Sequence, residues 1–169
     1  VLSFIKSKGM ACSVYGAQYL LELLYLHGEA DHALDLMTAQ HDRGWYNMIA
    51  AGSTMTLEAW DIKYKNNLDW NHAWGAAPAN IVGRFVLGVR PAEPGAGKIL
   101  IEPQPGYLTH ASGKLPLATG TVSVAYEHDP GTSFKLKVHV PQGVTARVGL
   151  PRLNPAVDTV RMDGTSQNA

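Results

Sequence analysis

Four tryptophans, Trp45, Trp60, Trp70 and Trp74, share one window with Glu58, Asp61, Asp69, Asn71 and His72. Indole faces pack against the C–H faces of sugar rings, while carboxylates, amides and imidazoles take the hydroxyls, so this mixture suits a carbohydrate pocket. The competing reading is structural, with the indoles sealing a core. Within the window, the run from Gly52 to Asp61 sets one carboxylate, Glu58, between apolar and aromatic neighbours. Such surroundings raise a carboxyl pKa or hold a general base in a dry pocket. Against this, Ser53 or Thr54 could cap a helix carrying Glu58 in its first turn, where an acid is favoured on electrostatic grounds alone. Asp61 and Asp69 are alternative acids that more simply serve turns. Asn71 is expected as the N-cap of a following helix, with His72 free to point a ring nitrogen at a ligand. Glycoside hydrolysis needs two carboxyl groups, one on each side of the scissile bond. The chain offers one strong candidate, so either the site is not catalytic or the other carboxyl lies in polypeptide preceding Val1, and the abrupt start at Val1 favours the second.

Several chemistries find no support in the residues. No second histidine stands at metal-ligand spacing from His72, and His27, His32 and His41 read as helix-surface residues, so no metal site is expected. The stretch from Gly88 to Gly97 lacks the lysine and following helix of a phosphate loop, and no cofactor is expected. The single cysteine, Cys12, excludes an internal disulfide and reads as a small packing residue. Fourteen basic residues balance fourteen acidic ones. With no long basic run, neither nucleic acid nor an anionic membrane is an expected partner. The longest apolar stretch is interrupted by Glu22 and is too short to span a bilayer. No secretory leader pattern opens the sequence, and the residues assign neither a compartment nor an oligomeric state.

The elements that must position these groups change period part-way along the 169 residues. Val14, Ala17, Leu20, Leu21, Leu24 and Tyr25 recur at helical spacing and predict a helix over 12–27, with Ser13 as N-cap and Gly28 as stop. Ala33, Leu34, Leu36 and Met37 predict a second over 29–40, making an antiparallel hairpin of the kind repeated in helical bundles and α/α toroids. A Gly- and Trp-rich connection from Gly44 to His72 leads to a third helix, beginning at Ala73 or Ala79 and ending near Leu87, with Pro78 in its first turn. Three helices with one apolar face each cannot close a core alone. Pro91 to Gly97 breaks the composition. Beyond it, short alternating runs at 98–102, 121–126, 133–140, 145–150 and 159–162, divided by Pro/Gly turns, predict an antiparallel β-sandwich. Phe134, Leu136, Val138 and Val140 should face inward, and Lys135, Lys137 and His139 outward as a solvated face. His110 and His128 sit beside turns, and 164–169 read as frayed. The fold class expected is therefore α then β: partial toroid helices over 1–91, then a sandwich over 92–169. The apolar opening from Val1 to Lys6, with no initiator methionine or cap, reads as a cut in mid-protein and predicts a C-terminal piece of something larger.

Six separated runs occur in order: GMACSVYG (9–16), GWYNMI (44–49), GSTMTLEAWD (52–61), WNHAWG (70–75), PQPG (103–106) and GTVSVAYEH (120–128). Together they resemble the bacterial α-L-rhamnosidases of glycoside hydrolase family 78, over nearly the whole chain. The resemblance implies an (α/α)6 barrel followed by a β-sandwich, and inverting hydrolysis of terminal α-L-rhamnosides. It implies Glu58 as the general base that activates water, and His72 as a rhamnose contact. The family's general acid lies on an earlier part of the barrel and has no match in 1–47, so this chain by itself should be inactive. Trp60, Trp70 and Trp74, with Asn71, are expected to wall the sugar site, and the remainder of the barrel is an expected partner. Ala59 stands where a longer side chain is common, and the loop from Asp61 to Asn71 is short for the family. The alternatives are a non-catalytic carbohydrate-binding protein and a purely structural helix-plus-sandwich module.

Overall fold

A computed structural model describes residues 1–153, 159–163 and 165–168. The chain forms two compact units, Val1–Val86 and Leu87–Ala169.

The first unit is helical. Helices α1 (Leu2–Lys8), α2 (Ala17–Leu26), α3 (Ala30–Thr38) and α4 (Trp45–Ala50) are followed by 3-10 turns at Ile62–Tyr64 and Ala73–Gly75. Helix α5 (Ala77–Ile81) then runs into a π-helical turn, Val82–Val86. Helix α2 begins later than its periodicity suggests, because Ser13 closes a turn first. Its Oγ accepts the Gly16 amide at 3.0 Å and its carbonyl accepts the Ala17 amide at 3.0 Å. Helix α2, with its buried stripe Ala17, Leu21, Leu24 and Tyr25, packs against α3 and α5; Ala33 and Leu34 of α3 are buried, and Ile81 and Phe85 are wholly enclosed. Tyr25 stacks on Phe85 with ring centroids 5.1 Å apart, tying α2 to the π turn. Pro78 lies in the first turn of α5, where its missing N–H costs nothing. The anticipated helix around Glu58 does not form. Ser53 Oγ instead donates to the Met55 carbonyl at 2.6 Å, and the backbone from 56 to 58 pairs with that of 69 to 72.

The second unit contains β1 (Val89–Pro91), β2 (Lys98–Ile101), β3 (His110–Leu117), β4 (Gly120–Asp129), β5 (Ser133–His139), β6 (Thr145–Val148), β7 (Thr159–Met162) and β8 (Thr165–Asn168). Among the described residues these form sheets ordered β1-β2-β6 and β3-β4-β5, plus a β7-β8 ribbon. All pairings are antiparallel except β2 with β6, which run parallel from Lys98↔Thr145 to Ile101↔Val148. Leu87, Val89, Ile99 and Ile101 pack with Val122 and Val124 of the other sheet to form the core. Leu136, Val138 and Val140 lie against it, Phe134 lies against the Tyr126 ring, and Lys135, Lys137 and His139 face outward. Period two alone sets that division. Gly88 is confined to glycine twice over: its φ is +77°, and a Cβ would stand 2.2 Å from the Glu102 carbonyl carbon. Thr165–Asn168 was expected to fray but pairs with β7. The same expectation for Gly164 and Ala169 lies outside the described residues.

Candidate active site

A short two-stranded clasp places Glu58 and His72. The Glu58 amide donates to the Asp69 carbonyl at 3.0 Å, and the His72 amide donates to the Thr56 carbonyl at 2.8 Å. Thr56 Oγ1 donates to the His72 carbonyl at 2.6 Å. The turn Ala73–Gly75 seats directly on Thr56, since a Cβ at Gly75 would lie 2.7 Å from Thr56 Cβ. The Gly75 carbonyl accepts Trp45 Nε1–H at 2.6 Å, which anchors the clasp to α4.

From this frame the Glu58 carboxylate is partly exposed and held at both oxygens. Oε1 accepts from Lys65 Nζ, and Oε2 accepts the Asp69 amide at 3.3 Å. Asp69 Oδ1 accepts the Asn71 amide at 2.9 Å in a tight turn, and its Oδ2 lies 3.4 Å from His72 Nδ1. The far nitrogen, His72 Nε2, is enclosed and has no hydrogen-bond partner among the described residues. The His72 ring meets Trp74 edge-on at 4.6 Å, and Trp74 in turn lies 5.2 Å from Tyr15. Trp74 is 62% exposed. Beside it, Tyr15, Gln18, Tyr19 and Asn80 line a shallow groove of about 320 Å³.

Three expectations change. Glu58 has its carboxyl held below the usual range rather than raised. The Lys65 hydrogen bond is the largest cause, followed by the Asp69 amide; burial pushes the other way and loses, and the charges of Lys65 and His72 add to the lowering. Glu58 is thus an ionised carboxylate at neutral pH, the state a base requires. Trp60 does not wall a site. It is 4% exposed, donates Nε1–H to the Cys12 carbonyl at 2.6 Å and sits edge-on to Trp45 at 4.9 Å. Asn71 is exposed and caps no helix, because His72 occupies the cap position of the following turn without a side-chain bond. Asp61 serves a turn as expected, its Oδ1 accepting the Lys63 amide at 3.0 Å. Trp70 is exposed, like Trp74.

Lys65 joins the cluster without a sequence signal, and Tyr15 joins it from the run 9–16, in which its type and spacing assign it no role. Lys65 lies in an aperiodic loop, and Tyr15 precedes a helix whose face did not single it out. Among the described residues no group of three or more His, Cys, Asp or Glu could hold a metal ion.

Residues 4–86 match the bacterial alpha-L-rhamnosidase 6 hairpin glycosidase domain, and residues 88–163 match the bacterial alpha-L-rhamnosidase C-terminal domain. The chain belongs to the bacterial α-L-rhamnosidase family. An α-L-rhamnosidase of Alteromonas sp. (strain LOR) is 27% identical over an alignment of 145 residues that covers 78% of this chain and 15% of that protein. The fold is similar to part of the α-L-rhamnosidase of Dictyoglumus thermophilum, at TM-score 0.79 and 24% identity, over 90% of this chain and 17% of that one. The Streptomyces avermitilis α-L-rhamnosidase, solved in complex with L-rhamnose, aligns at TM-score 0.78 and 24% identity over 98% of this chain and 18% of that one. This rhamnosidase-family chain therefore spans about 15% of the length of its curated relative.

Proposed function

We propose that this chain carries the base side of the active site of a glycoside hydrolase that releases terminal α-L-rhamnose by inversion. The supporting observation is the pairing of an ionised, doubly held Glu58 carboxylate with the His72 imidazole on one clasp, beside the exposed Trp74. Each carboxylate oxygen has a second lone pair, so the bonds from Lys65 and the Asp69 amide leave Glu58 able to accept from a water. In an inverting mechanism that water is deprotonated by Glu58 as it attacks the anomeric carbon. A carboxylic acid on the opposite side of the ring protonates the leaving oxygen, the two groups standing roughly 6.5–9.5 Å apart to leave room for the water. The acid is assigned to polypeptide outside these residues, and the helical unit Val1–Val86 to the last helices of an (α/α)6 barrel that the remaining helices complete. The unit from Leu87 onward is assigned as the accompanying C-terminal sandwich; it begins five residues before the expected boundary at 91/92 because β1 (Val89–Pro91) pairs with β2. His72 is assigned to contact with the rhamnose, and Trp70 and Trp74 to the apolar faces of the substrate. On this reading the chain by itself does not turn over substrate.

The test is Glu58→Gln in the full-length protein, assayed on an aryl α-L-rhamnoside. The amide cannot take the proton, so kcat should fall by roughly 10²–10⁴-fold while circular dichroism is unchanged. Near-normal turnover would remove Glu58 from catalysis. Sugar binding by the wild-type protein with no release of rhamnose would leave a carbohydrate-binding module.

A further inference from the structure

Lys65 lies outside every motif that marks the site, just after the 3-10 turn Ile62–Tyr64, with an extended backbone at φ −155°. Its ammonium is nonetheless bonded to Glu58 Oε1. Asp69 holds the other oxygen of Glu58 through its amide and faces His72 Nδ1 through its carboxylate, so the four residues form one line of contacts from Lys65 to the imidazole. Both partners of the Lys65–Glu58 pair are partly exposed, with side-chain exposures of 36% and 26%. Exposed ion pairs add little to stability. What the lysine does contribute is geometric, because without it the carboxylate is held at one oxygen only and is free to rotate about its last torsion.

We propose that Lys65 is a positioning residue for the base: it fixes one carboxylate oxygen of Glu58 so that the free lone pairs keep a single direction toward the water. The inference rests on the reading of Glu58 as general base. The titratable or charged groups acting on Glu58 are Lys65 and His72, with Asp69 behind the imidazole.

Lys65→Met, Lys65→Gln and Lys65→Arg in the full-length protein, assayed on an aryl α-L-rhamnoside, separate positioning from packing. The methionine variant should lose roughly 10- to 100-fold in kcat, the scale of a misplaced reacting group, with KM nearly constant. Its acid limb in kcat/KM should move to higher pH, because Glu58 must be ionised and has lost the cation that favoured ionisation. Glutamine keeps a donor without the charge, and should show a smaller limb shift in the same direction with a smaller loss of kcat. Arginine should restore both the limb and most of kcat. Wild-type kcat with an unmoved limb in the methionine variant overturns the proposal. So does a loss of kcat with an unmoved limb and no rescue by arginine. If the methionine variant does not fold, the glutamine limb decides alone. Glu58→Gln run alongside keeps the two ideas apart: an active Glu58→Gln defeats the base assignment itself, whereas an inactive Glu58→Gln beside an unaltered Lys65→Met defeats only the role of Lys65.

Discussion

Replacing Trp60 distinguishes a core indole from a sugar platform. Trp60→Phe keeps an aromatic ring but removes the N–H that the Cys12 carbonyl accepts at 2.6 Å. A carbonyl left without its donor costs about 1–3 kcal/mol. Trp60→Ala also removes the edge contact with Trp45 at 4.9 Å and empties a buried volume. Truncations of this kind cost about 3–5 kcal/mol, of which the aromatic pair supplies about 0.5–1.5. Urea unfolding of the full-length protein, followed at the helical circular dichroism signal, should show the midpoint falling in that order, wild type above Phe above Ala. Michaelis constants for an aryl α-L-rhamnoside should stay unchanged in the phenylalanine variant. An unmoved midpoint together with a several-fold rise in KM would refute the argument and return Trp60 to the wall of the site.

Two further outcomes follow from the same unit. Burial raises the Cys12 thiol above its ordinary range, with the Arg43 charge pulling only partly back. Iodoacetamide should therefore label Cys12 slowly at neutral pH and faster only above the usual thiol range, and rapid labelling at pH 7 would contradict it. The hydrogen bonds from Lys63 and then Tyr64 hold the Asp42 carboxyl at about 2, against 3.8 for the free group. A depressed carboxyl contributes stability above its unfolded value, and that contribution is lost as pH falls through the folded one. The urea midpoint of Lys63→Met should thus decline less than that of wild type between about pH 4 and about pH 2, and parallel declines would show that the pair contributes nothing.

Much of the scaffold was legible because period and punctuation agree. The stripes of α2 and α3, and the alternation in β2, β4 and β5, turn inward as their spacing predicts, although Leu20, Met37 and the inward residues of β5 are only half-buried. Strand β3 was not legible, because Gly113 and Pro116 interrupt its pattern. In the fold Gly113 faces the Leu87 side chain, with a Cβ position 2.4 Å from Leu87 Cδ1, and Pro116 sits on an edge strand that can spare a donor. Helix α4 was hidden by its six-residue length inside a glycine-bounded connection. At the site, residue types pointed to Glu58 and His72 but misjudged the environment of Glu58. The apolar neighbours Leu57, Ala59 and Trp60 are adjacent in sequence, whereas the groups that set its charge, Lys65 and the Asp69 amide, arrive through the clasp. Trp60 failed for the same reason, since its partner is a carbonyl 48 positions away.

The parallel pairing of β2 with β6 also orders events during folding. Hairpins β3-β4 and β4-β5 join neighbours in sequence and close quickly, whereas β6 must return past all of them before it can dock beside β2. The last sheet to be completed is therefore the one holding Ile99 and Ile101. Until β6 docks, one edge of β2 stays open to pairing with another chain, and the slow step in assembling this unit is also its window for aggregation.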